Sequence, residues 1–314
     1  MTRRNLLATG AAGFLTNAMA TETLAAAPDA RWRVMETSEG RDITWRGMAD
    51  RLARANLVFA GEFHDDPQTH RAELALLETL SGAWKQSLSL GMEMLERDAQ
   101  PALDAYLAGK TDEAALKKTV KLWPNYATDY RPLVEYARAE KIPVLASNAP
   151  GPLVKRVGKE GLAPVLESLT EAERSLIAAT VNAPSGDVYE KRFGSVMGAG
   201  HGDRRMDAAM VRRFYEAQCV RDDTMAETVS RALDAGRKVL HVNGAFHSDA
   251  GLGTAQRVLW RRPLRTSMVI VKFVPVREEV AKAIVSQYHK EADFLIVVPD
   301  ERPIQSNDAD DVRK

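Results

Sequence analysis

The sequence predicts an α/β protein with three layers, α/β/α, built on a largely parallel central sheet and carrying a helical insertion. Two observations lead to this prediction. Short apolar segments typical of strands alternate with longer segments whose apolar residues recur at helical spacing. The strand pattern is absent between about residues 151 and 236, which marks the insertion. Strands separated by helices form parallel sheets that are covered on both faces.

Six segments have the composition of strands: NLVFAG (56–61), SLSLGMEM (87–94), IPVLASN (142–148), RKVLHVNG (237–244), TSMVIVKFVP (266–275) and DFLIVVP (293–299). Helical spacing is clearest in THRAELALLETLSGAW (69–84), QPALDAYLAG (100–109) and DYRPLVEYARAEK (129–141). A long helical pattern also covers residues 207–236. The glycine-rich segment 185–205 is expected to be a loop.

Composition narrows the class of protein. The 314 residues include 43 Lys plus Arg and 43 Asp plus Glu, so the formal net charge is zero. This balance argues against a nucleic-acid-binding protein and against a polybasic membrane patch. No internal apolar run is long enough to span a bilayer. The single cysteine, Cys219, excludes an intramolecular disulfide and a four-cysteine zinc site.

The N-terminal segment 1–27 has the pattern of a signal peptide. Arg3 and Arg4 precede a mildly apolar run, and small residues follow at two possible cleavage sites, 18–20 and 25–27. The paired arginines resemble the twin-arginine form. We therefore expect export to the periplasm, a folded domain over residues 31–300 and a polar tail over 303–314. No cysteine lies near the cleavage region, so we do not expect a lipoprotein.

Polar residues follow four of the predicted strands. Glu62 and His64 follow the first, Glu93 lies at the end of the second, Asn148 ends the third, and His247 comes shortly after the fourth. Ligands of open α/β sheets bind beyond the carboxyl ends of the strands. If these strands are parallel, the five residues converge on one edge of the sheet, which we call the rim.

Two of these strand ends share the pattern Gly-x-x-His, at Gly61 to His64 and at Gly244 to His247. The glycine lets the chain turn sharply as it leaves the sheet. His64, His247 and Glu93 offer the nitrogen and oxygen ligands of a site for zinc or manganese. The same rim could anchor a carboxylate-bearing ligand, or it could supply a general base, His64, oriented by a carboxylate such as Glu62.

Simpler structural roles explain several neighbouring residues. One of Asp65 and Asp66 is expected to cap the helix that follows. His70 faces either the solvent or the site, and His241 in mid-strand is expected to be a core histidine with satisfied hydrogen bonds. Glu93 differs, because an ionised carboxylate within an apolar strand is costly unless it is paired.

Two tyrosines are candidate ligands of a flat cofactor. Tyr130 lies at the entrance of a predicted helix, after Trp123 and Tyr126, and Tyr189 lies in the predicted glycine-rich loop. Ordinary packing explains a tyrosine in such a helix. Tyrosinate also ligates haem iron in some proteins.

Five segments together resemble the ChaN-like haem-binding proteins, which are related to the erythromycin esterase and TraB/Tiki groups. They are GEFHDDPQTH, LGMEMLERDAQPALDAYLAG, YRPLVEYARAEKIPVLASNAP, EAQCVRDDTMAE and HVNGAFH, which span about residues 56–247 in this order. The resemblance implies a three-layer α/β/α fold, haem bound at the rim, two haems stacked face to face across a homodimer, and iron ligation by tyrosine. The candidate haem-binding residues are then His64, Tyr130, Asn148, Tyr189 and His247.

The resemblance leaves two functions open. The first is an exported haem-binding protein in haem or iron uptake. Its haem is non-covalent, because the sequence has no Cys-x-x-Cys-His. The second is a hydrolase or esterase that depends on Mn or Zn, with Glu62 and His64 as catalytic residues. The Tiki relatives are similar in using Gly-x-x-His motifs and a glutamate for a divalent metal, and His64, Glu93 and His247 match that pattern. The chain departs from the family in lacking a lipid-bearing cysteine.

Overall fold

The computed structural model describes residues 28–199, 207–277 and 287–302. The predicted signal peptide and polar tail therefore lie outside the described residues, and their assignments remain predictions. Within the described residues, no helix is both long enough and apolar enough to cross a membrane.

An eight-stranded mixed sheet forms the middle layer, with the strand order β2-β1-β8-β7-β3-β6-β4-β5. Its strands are β1 Arg33–Glu36, β2 Arg41–Ile43, β3 Leu57–Glu62, β4 Leu88–Glu96, β5 Val144–Asn148, β6 Lys238–Gly244, β7 Met268–Val276 and β8 Phe294–Pro299. The six strands from β8 to β5 in that order are parallel. At the other edge, β1 pairs antiparallel with both β2 and β8.

Eleven α-helices lie within the described residues. They are α1 Trp45–Leu52, α2 Pro67–Trp84, α3 Gln100–Leu107, α4 Glu113–Thr119, α5 Arg131–Ala139, α6 Gly151–Glu160, α7 Leu162–Ser168, α8 Glu171–Ser175, α9 Val188–Ala199, α10 Ala208–Asp234 and α11 Gly253–Arg261. A five-residue π-turn, Tyr126–Tyr130, leads into α5. A short 3₁₀ turn, Ala245–His247, follows β6.

Alternating residues of each strand supply the two cores. In β3, Val58 and Ala60 belong to the core beneath α2 and α5, whereas Leu57 and Phe59 belong to the core beneath α10 and α11. This alternation follows from the two-residue period of a strand, and it requires apolar side chains on both faces. The apolar run of β3 therefore marks a strand buried on both sides.

The predicted fold class is confirmed, including the six strands and their parallel arrangement. Two parts differ from the prediction. The β1–β2 hairpin was not predicted, because its strands are only four and three residues long and largely polar. The expectation of a loop over 185–205 is wrong for residues 188–199, which form α9. Between β5 and β6 the described residues form helices α6 to α10 and no strand.

The centre of the sheet contains a close contact between Gly91 and His241. A methyl group at Gly91 would lie 2.6 Å from His241 Cδ2. His241 is fully buried, with Nδ1 3.0 Å from Asn243 Oδ1 and Nε2 2.9 Å from Ser147 Oγ. Burial lowers the pKa of His241 to about 4, so the ring is neutral. The expectation of a satisfied core histidine is confirmed.

We predict that Gly91→Ala lowers the free energy of unfolding by about 1–3 kcal/mol, because the added methyl group overpacks the ring of His241. The control is Gly82→Ala in α2, where a methyl group meets no atom within 4 Å. That substitution should leave stability unchanged or raise it by about 0.5–1 kcal/mol. Urea denaturation of both variants tests this, and equal stability of the two would contradict it.

Candidate functional site

The rim is built where the carboxyl ends of β3, β6 and β4 lie side by side. In the sheet, β6 separates β3 from β4, and Glu62 is in register with Gly244. Parallel strands end at the same edge, so residues far apart in sequence meet there. Glu62, His64, Glu93 and His247 lie together at this edge, as predicted.

Glu62 ends β3 with a fully buried carboxylate. Its Oε1 accepts a hydrogen bond from the Tyr130 hydroxyl at 2.8 Å and contacts Nδ1 of His64. Tyr130 is the last residue of the π-turn, and such turns occur often at functional sites. Burial alone would raise the pKa of Glu62, but its hydrogen bonds and the neighbouring histidines lower it, so this carboxylate is ionised.

His64 is the more exposed of the two rim histidines. Its side chain is 40% exposed, against 7% for His247. The ring packs edge-on against Trp123, with 4.9 Å between centroids. Nδ1 is held by Glu62, and Nε2 has no hydrogen-bond partner among the described residues. It lies over Gly244, where a methyl group would come within 2.6 Å of it.

Glu93 lies where the pairing of β4 with β5 shifts register, and such bulges redirect side chains near functional sites. Its Oε2 accepts a hydrogen bond from the Gly244 backbone N–H at 2.7 Å, and its Oε1 lies 3.2 Å from His247 Nε2. Burial would raise the pKa of Glu93, but His247, His64 and the Gly244 N–H together outweigh burial and lower the pKa well below its usual range. Glu93 is thus a paired, ionised carboxylate.

His247 is fixed from both sides. Its Nδ1 lies 2.7 Å from Oδ1 of Asp222, and the same oxygen accepts a hydrogen bond from Thr254 Oγ1 at 2.8 Å. Burial would lower the pKa of His247, but Glu93 and Asp222 outweigh it and raise the pKa to about 10. Sequence reasoning missed Asp222. It belongs to the segment EAQCVRDDTMAE, but a helical acid 25 residues from its partner gives no local signal.

Tyr189 does not lie in a loop, contrary to the prediction. It lies on α9, is fully buried, and donates a hydrogen bond from its hydroxyl to Asp222 Oδ2 at 2.8 Å. Burial, followed by the charge of Asp222, holds the pKa of Tyr189 well above its usual range. The structure thus places it against Asp222, the aspartate that also pairs with His247.

Asn148 is also buried, and its side chain binds backbone groups. Its Nδ2 donates to the Glu93 carbonyl oxygen at 3.0 Å, and its Oδ1 accepts from the Ala149 N–H at 2.8 Å. The first of these bonds fixes the end of β4 against the end of β5. The haem-binding roles of Asn148 and Tyr189 remain predictions.

The structure decides two predictions about residues next to the rim. Asp66 caps α2 by accepting a hydrogen bond from the Thr69 N–H at 2.8 Å, which confirms the capping prediction for one of the two aspartates. His70 does not face solvent. It is buried, and its Nδ1 lies 3.0 Å from Glu73 Oε2.

The set of side chains best spaced for a metal differs from the predicted one. Among the described residues, the ligand atoms of Glu62, His70 and Glu73 all lie within 4.8 Å of one another. The predicted set of His64, Glu93 and His247 shares the rim but does not form such a group. Its metal role remains a prediction.

The geometry nonetheless defines what the rim can do. His64 and His247 each have Nδ1 next to a buried carboxylate, Glu62 or Asp222, which fixes the orientation of the imidazole. Carboxylates hold metal-binding histidines in this way, and they also hold general bases. The rim therefore presents two oriented histidine rings beside the ionised carboxylate of Glu93.

We predict that Asp222→Asn lowers the pKa of His247 by about 1–3 units, because a close opposite charge is lost. His247 has a folded-state pKa of about 10 against 6.5 for the free side chain. Its contribution to stability is therefore fully present below about pH 6.5 and is lost as the pH rises through 10. The variant should show a shallower loss of stability over this range.

The measurement is an NMR titration of the His247 ring protons, together with thermal melting from pH 6 to pH 10. Thr254→Val is the matched control, because it removes a neutral partner of Asp222 and should leave the pKa almost unchanged. Equal His247 pKa values in Asp222→Asn and in the parent would contradict this account of the pairing.

Comparisons with known proteins show which structures and families this chain resembles. Its structure is similar to that of ChaN of Campylobacter jejuni, which binds haem cofacially, with a TM-score of 0.64 and 14% identity over 85% of this chain and 97% of that chain. An erythromycin esterase mutant in its open conformation is 12% identical, with a TM-score of 0.45, over 90% of this chain and 86% of that chain. At these identities, likeness to solved structures shows the fold alone.

Among curated proteins, the chloroplastic protein RETICULATA-RELATED 5 of Arabidopsis thaliana is 25% identical over 241 residues. The match covers 71% of this chain, which spans about a third of that relative's length (32%). The family model "Haem-binding uptake, Tiki superfamily, ChaN" matches residues 48–258, which include every rim residue described above. This chain belongs to that ChaN family of haem-binding uptake proteins in the Tiki superfamily.

Proposed function

We propose that this protein binds haem non-covalently at the rim, with His64 as the iron ligand, and acts in haem or iron uptake or handling. Beyond family membership, the observation that carries the proposal is the state of His64. Its ring is partly exposed, its Nδ1 is held by a buried carboxylate, and none of the described residues forms a hydrogen bond with its Nε2. Histidine is a common axial ligand of haem iron, and a carboxylate on the other ring nitrogen raises its basicity.

Exposure favours His64 over the two tyrosines that the family resemblance suggests. Tyr130 and Tyr189 are fully buried, and each donates its hydroxyl hydrogen to a carboxylate. Burial, followed by these carboxylates, raises the pKa of both phenols well above its usual range. Ligation by tyrosinate would require either phenol to lose its proton beside a negative charge.

A groove between α6 and α10 has an apolar and cationic lining that suits a haem. It has a volume of about 550 Å³, in the range of small-molecule sites. Its lining combines apolar side chains with four cations, namely Val154, Phe214, Ala217, Lys155, Lys159, Arg213 and Arg221. Gln218 also lines it, and the Gln218 amide lies 3.3 Å from His247 Nδ1. Apolar walls suit the macrocycle, and the cations suit its two propionates.

We further propose a homodimer in which two haems stack face to face. Haem binding in the Campylobacter jejuni ChaN is cofacial. Helices α9 and α10 expose Val188, Val196 and Met210, with exposures of 68%, 55% and 38%. We propose that these side chains form part of the dimer contact, since contiguous exposed apolar patches mark such sites.

We predict that His64→Ala weakens binding of ferric haem by at least about tenfold and changes its absorption spectrum, because the iron loses its axial nitrogen. Tyr130→Phe and Tyr189→Phe should keep the spectrum of the parent. Haem titrations followed by absorption test this. Loss of a charge-transfer band in Tyr189→Phe or Tyr130→Phe alone would identify that tyrosine as the ligand and refute the role of His64.

Charge reversal in the groove tests where the haem binds, independently of which residue ligates its iron. Lys155→Glu combined with Lys159→Glu should weaken haem affinity without altering the spectrum, since both lysines are exposed groove residues. Lys110→Glu combined with Lys290→Glu is the matched control, with two exposed lysines that do not line the groove. Equal affinity in the two double variants would remove the groove from the proposal.

We propose that residues 1–27 direct export to the periplasm by the twin-arginine route. Arg3→Lys combined with Arg4→Lys should leave the precursor in the cytoplasm, because the route reads the arginine pair. Cell fractionation and immunoblotting measure this. Arg31→Lys combined with Arg33→Lys, outside the segment, is the control. Unchanged periplasmic accumulation of the Arg3/Arg4 variant would refute the proposal.

A second candidate function is hydrolysis that depends on a divalent metal, Mn or Zn. It is favoured by the pairing of each rim histidine with a buried carboxylate and by the 3.2 Å contact of His247 Nε2 with Glu93 Oε1. In this reading His64, Glu93 and His247 hold the metal, and Glu62 and His64 take part in proton transfer. Parent protein that takes up no haem at micromolar concentration, but hydrolyses esters when given Mn²⁺ or Zn²⁺, would favour this function.

A further inference from the structure

A second cluster of ionisable side chains lies directly behind the rim. Glu62 ends β3, and His70 and Glu73 follow one turn apart on α2. Residues three apart lie on the same face of a helix, so both point back toward the end of β3. The side chains of Glu62 and Glu73 are fully buried, and that of His70 is 3% exposed.

The spacing of this cluster suits a small cation. His70 Nδ1 lies 3.0 Å from Glu73 Oε2 and 3.5 Å from Glu62 Oε2. Tetrahedral Zn²⁺ with ligand bonds of about 2.0–2.2 Å separates its ligand atoms by about 3.3–3.6 Å. The three side chains therefore need little movement to share one ion.

Two carboxylate oxygens of the cluster lack a hydrogen-bond partner. They are Glu62 Oε2, which faces His70, and Glu73 Oε1. In the part of the chain that the structure describes, no lysine or arginine forms an ion pair with either carboxylate. Burial, followed by the charge of Glu62, raises the pKa of Glu73 well above its usual range, so the cluster favours either a proton or a cation between its two carboxylates.

The orientation of His70 points to where that charge lies. Its Nε2 lies 3.3 Å from the backbone oxygen of His64 and 3.6 Å from Asp129 Oδ2. With the Nε2 hydrogen donated to that carbonyl, Nδ1 presents a lone pair toward Glu62 and Glu73. A backbone carbonyl on the far nitrogen is one of the common partners of a metal-binding imidazole.

We propose that Glu62, His70 and Glu73 form a buried site for one first-row divalent cation, of which zinc is the type. One nitrogen and two carboxylates match the donors of protein zinc sites, and two carboxylates neutralise the ion. This site is distinct from the rim set of His64, Glu93 and His247. Glu62 connects this cation site to the rim, because its Oε1 contacts His64 and its Oε2 faces the cation site. The inference does not depend on haem binding.

The test is calorimetric titration of chelator-treated, haem-free protein with ZnCl₂. A titration with CoCl₂, followed by visible absorption, then records the bands of a low-symmetry cobalt site. The parent should bind one equivalent, and zinc should raise its melting temperature. Glu73→Gln should weaken binding at least about 100-fold, since changes outside the ligand set alone cost about 10–100-fold. Glu93→Gln, the matched rim variant, should bind like the parent.

Three outcomes would overturn the proposal. The parent could bind no zinc at micromolar concentration, in which case a shared proton occupies the cluster. Glu93→Gln could lose the ion, which would place the metal at the rim. Folded Glu73→Gln could bind zinc as tightly as the parent. Because the Glu93→Gln arm leaves the cluster intact, the proposal stays testable even if Glu73→Gln does not fold.

Discussion

The carboxylate of Glu62 connects the sheet to every other part of the site. It is buried at the end of β3 and accepts a hydrogen bond from the hydroxyl of Tyr130. It also contacts the ring of His64 and faces His70. An ionised carboxylate in such a place is stable only when its neighbours donate to it or carry positive charge. Its burial therefore fixes the orientation of the residues around it, and its contact with Nδ1 of His64 places Nε2 of that ring over Gly244.

The same principle operates at the second histidine. Asp222 of α10 is fully buried. It pairs with His247 and accepts hydrogen bonds from the hydroxyl groups of Thr254 and Tyr189. The insertion between β5 and β6 thus supplies the partner that fixes a residue of the rim. Glu93 links the two halves, because it accepts from the Gly244 backbone beneath His64 and pairs with His247. A ligand at the rim meets imidazoles whose orientation is set before it arrives, which lowers the cost of binding.

Much of this arrangement was predictable from the sequence, because it follows from strand ends. Apolar runs that stop at a glycine and an ionisable residue identified β3 and β6, and parallel strands bring their carboxyl ends together. The partners of the histidines were not predictable in the same way. Asp222 and Glu73 lie on helices, and their role depends on how those helices pack rather than on any local pattern. His70 was ambiguous for the same reason.

Local composition was misleading at two further places. The glycine-rich segment favoured a loop, yet α9 forms because Tyr189 and Phe193 pack against Tyr215 and Phe246. Tertiary packing outweighs weak helix propensity when aromatic side chains are buried. The β1–β2 hairpin was missed because its short, polar strands gain their pairing from β8, far along the chain.

The central claim is that a carboxylate-held His64 presents Nε2 to the iron of a bound haem. Hyperfine spectroscopy of ferric haem bound to protein labelled with ¹⁵N-histidine tests it most directly. The account predicts a ¹⁵N coupling from one axial imidazole that is present in the parent and absent in His64→Ala. A parent complex with no histidine coupling, or a coupling that survives in His64→Ala, would contradict it.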